Sequence, residues 1–303
     1  MFSIDINPKL VEFQSTKEIQ NFQNEKLQEV LQYLMDHSKF YQRLFDEHNI
    51  DIKSITKTED LNKIPVTTKD DLQRYNTDFL CVEPAQIIDY STTSGTLGDP
   101  VTFGLTDNDL ERLAENELNS FRRIGIEKGD VVQLMTTIDR RFMAGLAYFL
   151  GLRKLGAGVI RVGAGVPQLQ WDSILKYQPK FLVVVPSFLL KMIDYAEKNG
   201  IDYKKTSVKS ALCIGEALRN SKLEPSILAQ KIQEKWDIKL FSTYASTEMA
   251  TAFTECEFGQ GGHLQPDLII TEILDENNKE VSEGELGELT ITTLGIEGMP
   301  LLR

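Results

Sequence analysis

From Val131 to Tyr244 the chain alternates short β-rich runs, VVQLMTT, GAGVIRV, FLVVVP, VKSALCI and IKLFSTY, with helical stretches such as SFLLKMIDYAEKNG and PSILAQKIQEKW. Strands separated by helices do not close as hairpins; they pair in parallel, with each helix serving as the crossover. The pattern therefore predicts an α/β fold built on a parallel sheet. The flanks differ in texture. Leu27, Val30, Leu31 and Leu34 recur at helical spacing, and Phe40, Tyr41, Leu44 and Phe45 continue after a break near His37-Ser38. IPVTTKDDLQRY offers Thr67 or Thr68 as the cap of a further short helix. QIIDY and PVTFGLT read as strands, and NDLERLAENELNSFRRIG as a helix. At the far end, LIITEILDENNKEVSEGELGELTITTL reads as two strands around an Asn-Asn turn. The expected organisation is a helical opening over about residues 1–84, an α/β core over about 85–250 and a β-rich end over about 251–303, with no boundary sharp enough to split the chain.

Composition narrows the function classes. A chain of 303 residues, 41% hydrophobic and 26% charged, is long enough to bury a large core without a metal or disulfide. Its net charge of −12 argues against a nucleic-acid surface, which relies on clustered Lys and Arg. Cys81, Cys213 and Cys256 are an odd, scattered set that suits a reducing compartment, so a cytoplasmic location is expected. MFSIDINPKLVEF carries acids and a proline where a signal peptide needs an apolar run. The apolar stretch FMAGLAYFLGL is too short to span a bilayer, so no membrane partner is expected.

Several familiar motifs fail. A Walker loop needs a lysine and a following helix, whereas Gly95 leads to Pro100, Val101 and a strand. The pairs Gly156/Gly158 and Gly163/Gly165 each begin a dinucleotide fingerprint whose third position falls on Arg161 or Gln168. No Gly-x-Ser-x-Gly elbow is present, and His37 and His48 sit in the helical layer. What remains is STTSGTLGDP at residues 91–100, where consecutive backbone N–H groups in a glycine-permitted turn suit an anion and the hydroxyls add neutral donors. A polar hairpin turn would have the same composition. A second cluster lies at IKLFSTYASTEMA, where Tyr244, Thr247 and Glu248 follow a strand expected to be buried, at the carboxyl end where α/β sheets gather ligands. Thr247 offers a hydroxyl to a phosphate oxygen and Glu248 a hard carboxylate to Mg²⁺. The competing reading is a helix capped at Ser246 or Thr247. Cys256 and His263, with Glu255 nearby, bring too few firm ligands for a usual zinc site.

Taken in order, STTSGTLGDP, FMAGLAYFLGLRKLGAGVI, CIGE at 213–216, YASTE at 244–248, GGHLQPDLIITEILDE and GELGELTITTL make the chain resemble the acyl-adenylate-forming superfamily, and within it the phenylacetate–CoA ligase branch. HSKFYQRLFDEHNI and IPVTTKDDL resemble that branch as well. The resemblance implies the large multi-sheet N-terminal adenylation domain, with a helical N-terminal layer and a β-rich C-terminal end. It makes Thr93, Ser94, Gly95, Thr96 and Gly98 part of the loop over the β- and γ-phosphates, with Thr247 and Glu248 as phosphate and Mg²⁺ contacts. It places Gly215, Glu216 and Tyr244 beside adenine, with Ala245 and Ser246 in the same nucleotide segment. The carboxylate substrate would lie between Tyr244-Ala245 and the segment of Phe142, Ala144 and Gly145, residues that core packing would equally explain. ATP, Mg²⁺ and coenzyme A are the implied cofactor and co-substrates, and a small aryl or related carboxylic acid the implied substrate. A homodimer stays open, as do a non-catalytic nucleotide- or acyl-binding module and acyl transfer to a carrier protein. Two departures stand out: Leu97 and Asp99 replace the threonine and lysine usual in the loop, and the sequence stops at Arg303 before the family's Tyr-Arg-Thr-Gly-Asp segment and lysine-bearing lid. The expectation is an N-terminal domain with the lid absent and adenylation by these residues impaired.

Overall fold

The computed structural model describes residues 11–93 and 100–303. The chain divides into two compact units: one holds the described residues up to Arg112 with Ser246–Thr251 and Leu264–Arg303, the other Leu113–Ala245 with Ala252–His263.

The first unit opens with helix α1 (Thr16–His37), started by a reciprocal capping box between Ser15 and Glu18. Leu27, Val30, Leu31 and Leu34 form its buried face. The break predicted at His37-Ser38 is a shared cap. Ser38 closes α1 through its N–H to the Leu34 carbonyl, and its hydroxyl accepts from the Tyr41 N–H at the start of α2 (Lys39–Glu47). Phe40 stacks on Phe79 with centroids 4.0 Å apart. The Tyr41 hydroxyl accepts from the Leu302 N–H at 2.8 Å, tying the helical layer to the last residues. Of the two candidate threonines, Thr68 caps α3 (Lys69–Arg74), in a capping box with Asp71. Strands β1 (Asp89–Thr92) and β2 (Thr102–Leu105) pair antiparallel, as the flanks of the glycine-rich loop predict. Helix α4 (Asp107–Arg123) begins here and continues into the second unit.

The second unit holds most of a seven-stranded sheet in the order β4-β3-β5-β6-β7-β8-β9. Its strands are β3 (Val131–Leu134), β4 (Gly158–Arg161), β5 (Phe181–Val184), β6 (Ser210–Cys213), β7 (Lys239–Ser246), β8 (Thr251–Glu255) and β9 (Gly262–His263). All pairings from β4 through β7 are parallel, and β8–β9 is antiparallel. The crossovers are α5 (Met143–Leu155), α6 (Pro167–Tyr177), α7 (Pro186–Lys198) and, before β7, α8 (Ile227–Lys235). β5 is apolar at every position because each face meets a different core. Leu182 and Val184 join Trp171, Met192 and Trp236 on one side, while Phe181 and Val183 join Phe121, Tyr148 and Leu152 on the other.

The first unit ends in β10 (Ile269–Leu274) and β11 (Glu288–Thr293), an antiparallel pair. The Asn277-Asn278 turn is present, closed by Asp275 and Lys279, but the chain then detours through residues 282–287 before pairing fully.

One buried group is costly. Glu117 in α4 faces Gly151 in α5, where an added Cβ would overlap the Glu117 Cβ, so the helices meet with no room for solvent. Its Oε2 has no hydrogen-bond partner among the described residues, and burial pushes its carboxyl from the ordinary 4.5 up to about 8. Between those values the unfolded chain ionises Glu117 while the folded chain keeps the proton. Stability is therefore lost as pH rises across that window and levels off above it. We predict that Glu117→Gln raises the melting temperature more at pH 8 than at pH 5; a gain independent of pH would show that the carboxylate is already ionised in the fold.

Candidate functional site

Ligands of open parallel sheets gather outside the carboxyl ends of the strands. In the second unit, the segments leaving β3 and β6 and the end of β7 carry Phe142, Ala144, Gly145, Gly215, Glu216, Tyr244 and Ala245 of the residues singled out from the sequence. After β3 the chain passes Arg140 (φ 61°) and Arg141 (φ 60°), two side-chain-bearing residues in the left-handed region, before α5 begins. Phe142 is the N-cap of α5 and 37% exposed, whereas Gly145 is buried in the first turn. A Cβ at Gly145 would overlap the Thr137 carbonyl oxygen, so the post-β3 loop lies directly on the helix backbone. Ala144 beside it is half-buried.

After β6, Gly215 adopts φ 73°, a conformation that favours glycine. Glu216 then turns back: its two carboxylate oxygens accept from the Ser187 N–H at 2.8 Å and the Ser187 hydroxyl at 2.7 Å, in the first turn of α7. The side chain thereby joins the β6 exit to the β5 exit. Tyr244 and Ala245, at the end of β7, are exposed, and the Tyr244 ring leans on Phe253 with centroids 6.3 Å apart. Here the structure corrects an expectation, since β7 is buried only in its first half. Its exposed end is the part that carries the tyrosine.

The sequence offered no signal for what holds that strand. Glu255 on β8 is buried and accepts from the Arg219 Nε at 2.8 Å and Nη2 at 3.0 Å, and from the Ser242 N–H on β7 at 2.7 Å. Gly259 leaves room for the guanidinium, which a Cβ there would overlap. These contacts commit Glu255 and leave only Cys256 and His263 of the zinc set considered above. Among the described residues no group of three or more His, Cys, Asp or Glu is placed to hold a metal.

In the first unit, Ser246 through Thr251 form a tight turn rather than the capped helix that the sequence left open. The Ser246 hydroxyl accepts from the Met249 N–H at 3.2 Å, and the Thr247 carbonyl accepts from the Ala250 N–H at 3.2 Å. Thr247 and Glu248 are half-buried, and neither side chain has a partner among the described residues. A fixed backbone carrying an uncommitted hydroxyl and carboxylate suits a phosphate oxygen and a hard divalent cation. At the mouth of the β1–β2 loop, the Thr93 hydroxyl accepts from the Val101 N–H at 3.0 Å, and the Thr93 N–H donates to the Val101 carbonyl at 3.0 Å. Thr93 thus closes the base of the loop. Ser94, Gly95, Thr96, Leu97, Gly98 and Asp99 lie outside the described residues.

Residues 14–297 match the AMP-binding enzyme family, and the chain belongs to it. It is 29% identical over 292 residues to the phenylacetate-coenzyme A ligase of Thermus thermophilus, covering 95% of this chain and 64% of that protein. It is 28% identical over 305 residues to the phenylacetate-coenzyme A ligase of Escherichia coli, covering 98% and 68%. The chain thus spans about two thirds of the length of these relatives. In fold it is similar to a 2-hydroxyisobutyryl-CoA ligase solved in an open conformation with 2-HIB-AMP and CoA, at a TM-score of 0.85 and 24% identity over 95% of this chain and 68% of that one.

Gly145→Ala is expected to destabilise the chain by roughly 1–3 kcal/mol, the usual cost of forcing an atom into a closed contact. Phe142→Ala, at an exposed cap, should cost less than about 1 kcal/mol. Urea unfolding of both variants checks the contrast, and equal losses would mean that the Thr137 loop moves aside.

Proposed function

We propose that the chain is the nucleotide- and acid-binding part of an adenylate-forming acid–thiol ligase acting on an aryl or related carboxylic acid. In this reading residues 1–303 serve as one functional domain. A carboxylate oxygen of the substrate attacks the α-phosphorus of ATP and pyrophosphate leaves. The thiol of coenzyme A then attacks the acyl carbon of the acyl-AMP and AMP leaves. A carboxylic acid with a pKa of about 4 is already ionised at neutral pH, so the first step needs no general base. The protein's contribution is alignment of reactants and neutralisation of phosphate charge.

Glu248 would hold Mg²⁺, which when bound offsets the charge of the phosphates, and Thr247 would donate to a phosphate oxygen. Thr93 with Ser94, Gly95, Thr96 and Gly98 would cradle the remaining phosphates; Gly215, Glu216 and Ser246 would flank the nucleoside. Tyr244, Ala245, Phe142, Ala144 and Gly145 would border the acid. The observation that carries this reading is the turn at Ser246–Thr251, whose backbone is hydrogen-bonded while the Thr247 and Glu248 side chains have no partner among the described residues. Membership of the AMP-binding family and the similarity to phenylacetate-coenzyme A ligases support ATP and coenzyme A as co-substrates. No helix among the described residues is long and apolar enough to cross a membrane. The three free cysteines, scattered along the chain, suit a reducing, cytoplasmic setting.

ATP–pyrophosphate exchange against a panel of aryl and aliphatic acids tests the reaction and finds the acid. Glu248→Gln removes a charge without changing size, so it should weaken Mg²⁺-dependent ATP binding about tenfold, equivalent to about 1.4 kcal/mol, and leave the melting temperature in place. Calorimetry giving an unchanged MgATP affinity would falsify the assignment of Glu248.

A further inference from the structure

Arg112 is a heavily committed side chain of the first unit. Its guanidinium is almost wholly buried, at 3% exposure, within the field of the buried carboxylates of Asp109 and Asp267, yet among the described residues it hydrogen-bonds to neither. It donates instead to backbone and hydroxyl oxygens. Nε reaches the Leu294 carbonyl at 2.8 Å, Nη1 the Ala250 carbonyl at 2.6 Å, and Nη2 the Leu268 carbonyl at 2.6 Å and the Thr251 hydroxyl at 3.1 Å. Burial lowers its pKa to about 10, which leaves it charged at neutral pH. Removing a guanidinium from water is costly even where Asp109 and Asp267 offset part of its charge, and an apolar side chain of similar size would fill the space at lower cost. The fork geometry supplies something an apolar residue does not: fixed distances to three separate backbone segments at once.

One of those segments is the turn that carries Thr247 and Glu248. Ala250 closes it in the left-handed region, at φ 45°, a conformation that costs a residue with a Cβ and persists only when its surroundings impose it. The Ser246 hydroxyl and the Thr247 carbonyl hold the turn from one side, and Arg112 grips the Ala250 carbonyl and the Thr251 hydroxyl from the other. We infer that Arg112 is a positioning residue for the Thr247–Glu248 turn, holding Ala250 left-handed so that the hydroxyl and carboxylate are presented together. The inference rests on the assignment of Thr247 and Glu248 to phosphate and Mg²⁺. Arg112 touches neither ligand and acts through the turn.

The test is a cycle of Arg112→Lys, Ala250→Gly and their combination, with Glu248→Gln alongside. ATP binding is measured by calorimetry across a Mg²⁺ series, and amide hydrogen exchange of the ligand-free chain is followed at Met249 and Ala250. Lysine keeps the charge but not the fork, so Arg112→Lys should raise the half-saturating Mg²⁺ concentration at least fivefold and speed exchange in the turn. Glycine adopts positive φ freely, so adding Ala250→Gly should recover at least half of the lost affinity. A general packing role at Leu268 and Leu294 would give no such recovery. Should Arg112→Lys lose its cooperative melt, Thr251→Val removes one acceptor only and takes its place in the same cycle. A double variant as impaired as the single one, or a Mg²⁺ requirement unmoved by the Arg112 or Thr251 change while Glu248→Gln shifts it, overturns the inference and leaves the site assignment standing. No shift in Glu248→Gln overturns both.

Discussion

The second unit depends on burying both faces of its central strands. β5 and β6 have no solvent side, so helices must cover each face and every neighbouring strand must arrive by a crossover. That requirement sends β3, β5, β6 and β7 in one direction and brings their exits to one edge. The polar residues that follow those strands are there because the apolar residues within them had to be covered.

The same logic explains what could be read from the sequence. Strand-length apolar runs, capping serines and threonines and the glycine-rich loop flanks are local signals. They give β3 through β7, the Ser38 break, the Thr68 cap and the β1–β2 pair close to where they lie. The Asn277-Asn278 turn was likewise visible. The detour before β11 was not read, although Ser282, Gly284 and Gly287 are local turn signals within EVSEGELGE.

What stayed hidden is the set of long-range polar contacts. Arg219 and Glu255 are far apart in sequence and meet only because β8 lies beside β7. Arg112 sits on a helix whose pattern marks the position as buried without saying that carbonyl oxygens await it. Glu216 reads as one more residue near a nucleotide, and only the fold reveals its pairing with Ser187. Gly145 reads as a substrate-pocket or core position, and only the fold reveals the Thr137 carbonyl in the space of its missing side chain. No spacing rule encodes such contacts, because each depends on where a different element comes to rest.

The Glu216 pairing bears on how charge is distributed over the strand exits. The start of a helix carries roughly half a positive charge, which makes it an attractive seat for phosphate. At α7 that seat is taken: the carboxylate of Glu216 supplies a negative charge at the first-turn N–H of Ser187. A polyanion approaching this edge gains nothing from α7 and meets repulsion. An uncharged group suffers no such penalty. The edge is thus electrically uneven, with the start of α7 closed to anions by a carboxylate of the chain itself.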